Sequence, residues 1–328
     1  MVTPQHSLGE LAERLRQAER LVILAHVRPD GDAVGSVMGL ALSLRAMGKT
    51  VIPMLEDPVP ENLAFLPHSD EIIRPSAPLE ADLVVALDTA NQERVGGRCL
   101  EVLAGVPEWI NMDHHGTNPG YGKLNHVDPS VPATGQLVYE LLKTGGFPIT
   151  DAVRQNLYVA ISTDTGSFQY PGTGARTHEI AAEMLAAGLD SGRLCRLTYE
   201  TFPARRLHLL RALLNEMEFR AEGRVVSWQY TQATARAAEA QPGDTEGLID
   251  TLRMVDSVVA AVIFEELPDG KIRVSARSKD MAVNVSEICG RFGGGGHPLA
   301  AGARMAGPIQ DAAARYLKEL ENEVRRSD

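Results

Sequence analysis

Three short apolar segments in the N-terminal half of the chain each end at an aspartate or a histidine. They are LVILAH at 21–26, ADLVVALD at 81–88 and EWINMDHH at 108–115. Short apolar runs that alternate with helices are typical of an α/β domain with a mostly parallel sheet. Ligands gather at the carboxyl ends of such strands. We therefore expect His26, Asp88 and Asp113 to lie together at one edge of the sheet.

Two helices can also be predicted in this half. Ser7 and Glu10 form a capping-box pattern, which predicts the start of an amphipathic first helix. A second helix-like run extends from Asp32 to Met47 and closes at Gly48, before the strand candidate TVIPML. These helices supply the α part of the predicted α/β domain.

The length of 328 residues exceeds what one core supports, because single cores stop growing near about 250 to 300 residues. The stretch 176–220 is helical in pattern, with few strand signals. We predict a catalytic domain at 1–189, a helical connector at 190–221 and a smaller α/β domain at 222–328. The last domain has strand candidates at 224–230, 255–267 and 271–278 and a final helix from Ile309 to about Val324.

The charge distribution excludes some partners. The net charge is -11, and residues 1–188 hold 13 Lys and Arg against 23 Asp and Glu, which disfavours a long duplex nucleic acid as a partner.

The chain lacks a window of about 20 apolar residues and an apolar leader segment, so we expect a cytoplasmic protein without a membrane partner. The three cysteines are scattered, which argues against a disulfide framework and a thiolate metal site.

The segment HVRPDGDAVGS places three ligand-type side chains, His26, Asp30 and Asp32, within seven residues. Its proline and glycine shape a turn, so the two aspartates need not point the same way and could serve different ions. Taken alone, the segment fits turn residues with a helix cap at Asp32 about as well as it fits metal binding.

Five more motif residues strengthen the metal interpretation. They are Asp88, Asp113, His114, His115 and Asp164, the last from ISTDTGSF. Clustered carboxylates repel one another unless cations lie between them. Imidazole and carboxylate without thiolate favour Mn²⁺, with Mg²⁺, Co²⁺, Fe²⁺ or Zn²⁺ as alternatives, and this many ligands exceeds the need of one ion. Two ions about 3.5 to 4 Å apart suit phosphoester hydrolysis.

A second group of candidates lies near the C-terminus. The run GGGGHPLAAG contains Gly294, Gly295, Gly296 and His297. Consecutive glycines let backbone amides approach a phosphate closely, so we predict a ligand-facing loop, although a flexible linker is the alternative. Arg277 and Ser278 end a predicted strand upstream, and a guanidinium suits phosphate oxygens. For Arg277 alone, without the glycine run, a surface salt bridge would be the preferred explanation.

The motifs HVRPDGDAVGS, LDTA, DHH and TDTGSF, in this order and spacing, strongly resemble those of DHH phosphoesterases, and GGGGHPLAAG resembles the DHHA1 signature. The resemblance covers nearly the whole chain and is strongest to bacterial nanoRNases and pAp phosphatases, where pAp is adenosine 3′,5′-bisphosphate. It implies one ion held by His26, Asp30 and Asp88. It implies a second ion held by Asp32, Asp88, His114 and Asp164, with Asp88 bridging.

The same resemblance implies roles for the remaining candidates. Asp113 would support the metal site from behind, and His115 would face the substrate phosphate. Arg277, Ser278, Asn284 and the GGGGH run would form a nucleotide-binding face of the DHHA1 domain. The hydrophobic neighbours of Asn284 are expected to be core residues.

With metals in one domain and a phosphate anchor in the other, the enzyme would grip a terminal phosphate and cut the next one. We expect hydrolysis of short single-stranded oligoribonucleotides to nucleoside 5′-monophosphates, and of pAp to AMP and phosphate. A linear or cyclic dinucleotide phosphodiesterase (pApA or c-di-AMP type) is the alternative. Pyrophosphatase, long-strand exonuclease and a non-catalytic nucleotide sensor are disfavoured. The oligomeric state stays open, although exposed apolar helix faces in such folds often pair into a homodimer.

Overall fold

The computed structural model describes residues 5–241, 243–245 and 247–327. The chain divides into two compact units, Met1–Thr201 and Phe202–Asp328. The division falls inside the segment predicted as a helical connector. No helix among the described residues is long and apolar enough to cross a membrane.

The first unit contains a five-stranded sheet in the order β2-β1-β3-β4-β5, and every neighbouring pair is parallel. The strands are β1 (Arg20–Leu24), β2 (Thr50–Met54), β3 (Leu83–Leu87), β4 (Trp109–Asp113) and β5 (Leu124–Val127). The prediction of an α/β domain with a mostly parallel sheet is confirmed. The sequence reasoning missed β5, whose four residues show little apolar patterning.

Seven helices accompany this sheet in the described part of the first unit. They are α1 (Leu8–Gln17), α2 (Gly31–Ala46), α3 (Gly97–Val102), α4 (Thr134–Gly145), α5 (Asp151–Asp164), α6 (Ala175–Ala186) and α7 (Ser191–Tyr199). Short 3-10 helices lie at Glu61–Leu63, Ser69–Glu71 and Gln92–Val95. The capping box predicted for α1 is present, since Ser7 and Glu10 each accept a hydrogen bond from the other's backbone N–H.

Both faces of this sheet are buried, because successive residues of a strand point to opposite faces. Leu21 and Ile23 of β1 belong to a core that includes residues of α1, α2, α4 and α5. Val22 and Leu24 pack on the other side with residues of α3 such as Cys99. Coverage on both faces explains why the strands are continuous apolar runs.

The second unit contains a six-stranded sheet in the order β10-β11-β9-β8-β7-β6. The strands are β6 (Glu218–Arg220), β7 (Val225–Tyr230), β8 (Ala260–Glu266), β9 (Lys271–Ser278), β10 (Gly295–His297) and β11 (Ala300–Ala306). The helices are α8 (Ala204–Glu216), α9 (Gln232–Ala237), α10 (Leu248–Arg253), α11 (Val285–Gly290) and α12 (Ile309–Arg326), with a 3-10 turn at Ala221–Gly223. Among these strands β7 and β8 pair in parallel, and the other neighbours are antiparallel.

Two local expectations for this unit were wrong. Residues 218–220, expected to be helical, form β6, because they pair antiparallel with β7. The glycine run, expected to be a loop, forms the β10 side of a hairpin with β11, in which Gly296 pairs with Ala301. This close approach requires glycine at positions 294 and 296, where an added Cβ would clash with the backbone of β11.

Candidate metal centre and phosphate-binding face

The polar residues predicted at the strand ends lie together in the first unit. Three groups have ligand atoms within 4.8 Å of one another: His26, Asp30 and Asp88; Asp32, His114 and Asp164; and Asp88, Asp113, His114 and His115. All eight predicted residues of this domain therefore fall in one cluster at the carboxyl ends of β1, β3 and β4.

Asp88 is at the centre of this cluster. Its Oδ2 lies 3.4 Å from Nε2 of His26, while its Oδ1 lies 3.4 Å from Nε2 of His114. Asp88 follows β3 directly and has a left-handed backbone with φ of 57°, a conformation that non-glycine residues adopt mostly at turns and functional sites. Its N–H donates to the Met112 carbonyl at 3.1 Å. The two carboxylate oxygens thus face two different sets of ligands.

The histidine of the first motif is held in one orientation. Nδ1 of His26 donates to the Val27 carbonyl at 2.9 Å, since a carbonyl oxygen only accepts. This leaves Nε2 directed at Asp88 and at Oδ2 of Asp30, 3.6 Å away. A backbone carbonyl that fixes the other ring nitrogen is the usual support of a metal-binding histidine. Asp30, rather than the expected Asp32, caps α2, with Oδ1 accepting from Ala33 N–H at 3.0 Å.

Asp32 is buried and accepts three hydrogen bonds. The N–H groups of Thr134 and Gly135 donate to it at 2.7 and 2.8 Å, and the Ser36 hydroxyl donates at 3.0 Å. Ala133, the N-cap of α4, has no side-chain capping bond, so Asp32 caps α4 from a different helix. Sequence reasoning missed this contact, although a Thr-Gly pair at a helix start was visible in ATGQL.

Asp164 is the last residue of α5, and its Oδ2 lies 3.2 Å from Nε2 of His114. It reaches the cluster because α5 lies very close to α2. Three glycines of α2, spaced four residues apart, face α5: added Cβ atoms would lie 2.4 to 2.5 Å from its atoms. These glycines are Gly31, Gly35 and Gly39.

Asp113 is fully buried and accepts hydrogen bonds on both oxygens. Oδ1 accepts from His114 N–H and from Nδ1 of His115, each at 2.8 Å. Oδ2 accepts from Ala90 N–H at 3.0 Å and from Nδ2 of Asn118 at 2.5 Å. This geometry orients the His115 ring and suits a supporting role for Asp113. Asn118, three residues beyond the DHH triplet, was not singled out from the sequence.

The electrostatics of the cluster fit a divalent cation. Burial would lower the pKa of His26, but Asp30 and Asp88 raise it to about 10. Burial raises the pKa of Asp164 to about 6, and Asp30 and Asp88 add to this rise. The protein therefore gathers several carboxylates and imidazoles in one mostly buried place. Hard oxygen and imidazole donors are ligands of divalent metals.

In the second unit, strand register brings two predicted substrate residues to one face. Arg277 of β9 pairs with Ala300 of β11, and Ala300 pairs with His297 of β10. Directly paired residues share a face, so Arg277 and His297 flank a single alanine. The next residues on this face, Gly295 and Gly302, carry no side chains. Arg277 and His297 are partly exposed on this face, and Gly295 is exposed.

The structure gives other predicted residues of this unit local roles. A Cβ on Gly294 would lie 2.1 Å from the Gly302 carbonyl oxygen, and one on Gly296 would lie 2.6 Å from that of Ala300, so hairpin packing requires both glycines. Ser278 is fully buried, and its hydroxyl donates to the Asp280 carbonyl at 2.9 Å. Asn284 caps α11 by accepting from Ser286 and Glu287 N–H groups.

Two family models match this chain, one in each of its two units. Residues 20–162 match the family model of the DHH family, N-terminal domain, and residues 229–326 match the DHHA1 domain. A DHH domain that carries this carboxylate and imidazole cluster, followed by a DHHA1 domain, defines the class as the two-domain DHH phosphoesterases.

Relatives narrow the class further. The chain is 35% identical over 321 residues to the bifunctional oligoribonuclease and PAP phosphatase NrnA of Thermus thermophilus, which covers 97% of this chain and 94% of that protein. It is 32% identical over 320 residues to the protein of the same name in Bacillus subtilis, with 95% and 97% covered. The chain therefore belongs to the NrnA-like family of DHH/DHHA1 phosphoesterases, and it is a phosphoesterase.

A solved structure shows the same fold. The crystal structure of an exopolyphosphatase-related protein from Bacteroides fragilis has a TM-score of 0.86 to this chain at 24% sequence identity, with 96% of this chain and 95% of that chain covered. At this identity the likeness describes the fold alone.

Proposed function

We propose that the protein is a metal-dependent hydrolase of short oligoribonucleotides, releasing nucleoside 5′-monophosphates, and of pAp, releasing AMP and phosphate. The observation that carries the proposal is the position of Asp88, whose oxygens lie 3.4 Å from His26 on one side and 3.4 Å from His114 on the other. One carboxylate that serves two ligand sets is what a pair of ions requires.

The donor sets fit two divalent cations, with Mn²⁺ as the first choice for oxygen and imidazole ligands. His26, Asp30 and Asp88 would hold one ion, and Asp32, His114 and Asp164 would hold the other. Asp88 would be shared with this second ion, because its Oδ1 lies 3.4 Å from Nε2 of His114. When bound, such a pair makes water a better nucleophile and stabilises charge on the attacking and leaving oxygens. The ions would also offset the desolvation and the repulsion from Asp30 and Asp88 that together raise the pKa of Asp164.

The reaction is the attack of water on phosphorus, with cleavage of the bond between phosphorus and the ribose 3′ oxygen. The 3′ oxygen leaves as a hydroxyl after gaining a proton, and the phosphate stays on the other product. The same bond breaks in an oligoribonucleotide and in pAp. His115, whose Nδ1 donates to Asp113 at 2.8 Å, would face a phosphate oxygen with Nε2. Asp113 keeps the ring in this orientation.

The substrate class follows from charge and from the relatives. A net charge of -11 disfavours long polyanions, whereas a short oligonucleotide or pAp carries few phosphates. Arg277 and His297 share a face of the second unit, and we assign this face to a phosphate remote from the reacting one. Two relatives are named for oligoribonuclease and PAP phosphatase activities, which supports the same two substrates.

A substrate panel tests the proposal. The full-length protein, stripped of metal and then supplied with Mn²⁺, would be assayed on 5′-phosphorylated di- to decaribonucleotides, pAp, pApA and pyrophosphate. We expect the highest kcat/KM on the shortest oligoribonucleotides and on pAp, with rates falling as length increases. Cleavage of the dinucleotide pApA alone, without cleavage of pAp or of oligoribonucleotides of three or more residues, would redirect the assignment to a dinucleotide phosphodiesterase. Equal rates on decamers and dimers would contradict the short-substrate proposal.

A further inference from the structure

Thr134, the first residue of α4, lies between two of the proposed metal ligands. Its N–H donates to Oδ2 of Asp32 at 2.7 Å, and its hydroxyl donates to Oδ1 of Asp88 at 3.3 Å. The side chain is fully buried. We propose that Thr134 is a positioning residue, which fixes the carboxylates of Asp32 and Asp88 relative to each other. The inference rests on the proposed metal centre and adds a residue outside its ligand set.

The end of α4 that carries Thr134 is anchored on two sides. Asp32 accepts the N–H groups of both Thr134 and Gly135, which cannot be satisfied within the helix. A Cβ on Gly135 would lie 2.6 Å from Cβ of Ala160 in α5 and 3.2 Å from Oδ1 of Asp32. The start of α4 therefore packs closely against α5 and against Asp32, the proposed metal ligand that caps it. A hydroxyl carried on such an end has little freedom to move.

The hydroxyl acts on the oxygen of Asp88 that has the most neighbours. Oδ1 of Asp88 lies 3.4 Å from both Nε2 of His114 and Nδ1 of His115. A carboxylate rotates easily about its terminal bond, so a fixed donor is needed to select one orientation. Thr134 is β-branched, which restricts its own first side-chain torsion. Because Thr134 is fixed at the start of α4, its hydroxyl holds the Asp88 carboxylate, which both ligand sets share, in one orientation.

The inference predicts an effect on metal affinity that does not depend on turnover. Thr134→Val keeps the shape of the side chain but removes the hydroxyl, whereas Thr134→Ser keeps the hydroxyl. Loss of a group that orients a metal ligand typically weakens metal binding about 10- to 100-fold. We expect Mn²⁺ affinity to fall at least about tenfold in Thr134→Val and to stay within about twofold of wild type in Thr134→Ser.

Thr177→Val is the matched control. Thr177 is a similarly buried threonine of the same unit, but its hydroxyl donates to Oε1 of Gln136 at 2.8 Å rather than to a carboxylate of the cluster. It should lower the melting temperature without changing Mn²⁺ affinity. A general loss of packing would affect the two valine variants alike, and only a positioning role separates them.

The experiment is isothermal titration calorimetry of Mn²⁺ into the four metal-free full-length proteins, with circular dichroism to show that each is folded. Weak binding by Thr134→Val alone supports the inference. Wild-type affinity in Thr134→Val, or equal losses in the serine and valine variants, overturns it while leaving the metal proposal intact. A wild-type protein that binds no Mn²⁺ overturns both. If Thr134→Val does not fold, Thr134→Ala, which also lacks the hydroxyl, replaces it: an affinity at least about tenfold weaker than that of Thr134→Ser supports the inference, and wild-type affinity overturns it.

Discussion

Gly35 of α2 packs directly on the backbone of Asn156 in α5, so that an added Cβ would lie 2.4 Å from the Asn156 carbonyl oxygen. Backbone atoms cannot move aside as a flexible side chain can. The contact sets the separation of the two helices, and with it the place of Asp164 at the end of α5. A packing contact thus determines whether one proposed metal ligand reaches the others.

We therefore predict that Gly35→Ala impairs both stability and metal binding. Overpacking of this kind costs about 1 to 3 kcal/mol of unfolding free energy, and the displaced α5 should weaken Mn²⁺ binding. Gly9→Ala is the control, since Gly9 lies exposed in α1 and its Cβ would meet only an atom 3.8 Å away. It should be neutral or slightly stabilising. Denaturant unfolding and Mn²⁺ titration measure the two effects, and unchanged values for Gly35→Ala would contradict the close-packing account.

A second prediction concerns acid stability. The Arg176 guanidinium, the Tyr139 hydroxyl and Lys143 hydrogen-bond the carboxylate of Glu183 and lower its pKa to about 2. Because the folded-state pKa lies below the ordinary value, this stabilisation is complete above about pH 4.5 and is lost as the pH falls towards 2. Between these values the unfolding free energy of wild type should fall more steeply than that of Glu183→Gln. Parallel curves, or a carboxyl titration near 4.5 by NMR, would oppose this assignment.

A third prediction separates recognition from chemistry. If Arg277 binds a substrate phosphate, Arg277→Ala should reduce kcat/KM on a 5′-phosphorylated diribonucleotide at least about tenfold, since a charge-assisted contact is worth about 1.5 to 3 kcal/mol. The unphosphorylated dimer should show little further loss, because the group that Arg277 serves is already missing. Mn²⁺ affinity should be unchanged.

Arg325→Ala is the control for this comparison of wild type and Arg277→Ala on the two dimers. Arg325 lies in the last turn of α12, its side chain is 68% exposed, and its nearest acidic partner is Glu321 at 3.7 Å. Its removal should leave both dimers unaffected. Equal losses on the two dimers with Arg277→Ala would mean that Arg277 acts structurally, and the phosphate assignment would be withdrawn.

The sequence predicted those parts of the fold and site that depend on local pattern. Apolar runs that end in Asp88 and in Asp113 identify strands whose carboxyl ends meet at one edge, so the clustering of these residues follows from the parallel sheet alone. The capping box at Ser7 is local in the same sense. The metal roles themselves remain a prediction, which the geometry supports.

What the sequence did not reveal depends on contacts between distant segments. Asp32 caps a helix that begins 102 residues later, and no local pattern specifies such a pair. The four-residue spacing of Gly31, Gly35 and Gly39 was visible, but its partner helix was not. The glycine run before His297 has two physical explanations, close strand packing and phosphate approach. The three-dimensional structure shows that Gly294 and Gly296 already serve the first.

The most direct test of the central claim compares two aspartate variants in one assay. Asp88→Asn removes charge from the carboxylate shared by both ligand sets, while Asp151→Asn makes the same change at an exposed position in the first turn of α5. Initial rates would be measured on a 5′-phosphorylated diribonucleotide with saturating Mn²⁺. We predict that Asp88→Asn loses at least about a hundredfold in kcat while remaining folded, and that Asp151→Asn matches wild type. Wild-type turnover by folded Asp88→Asn would contradict the assignment of the metal centre to this cluster.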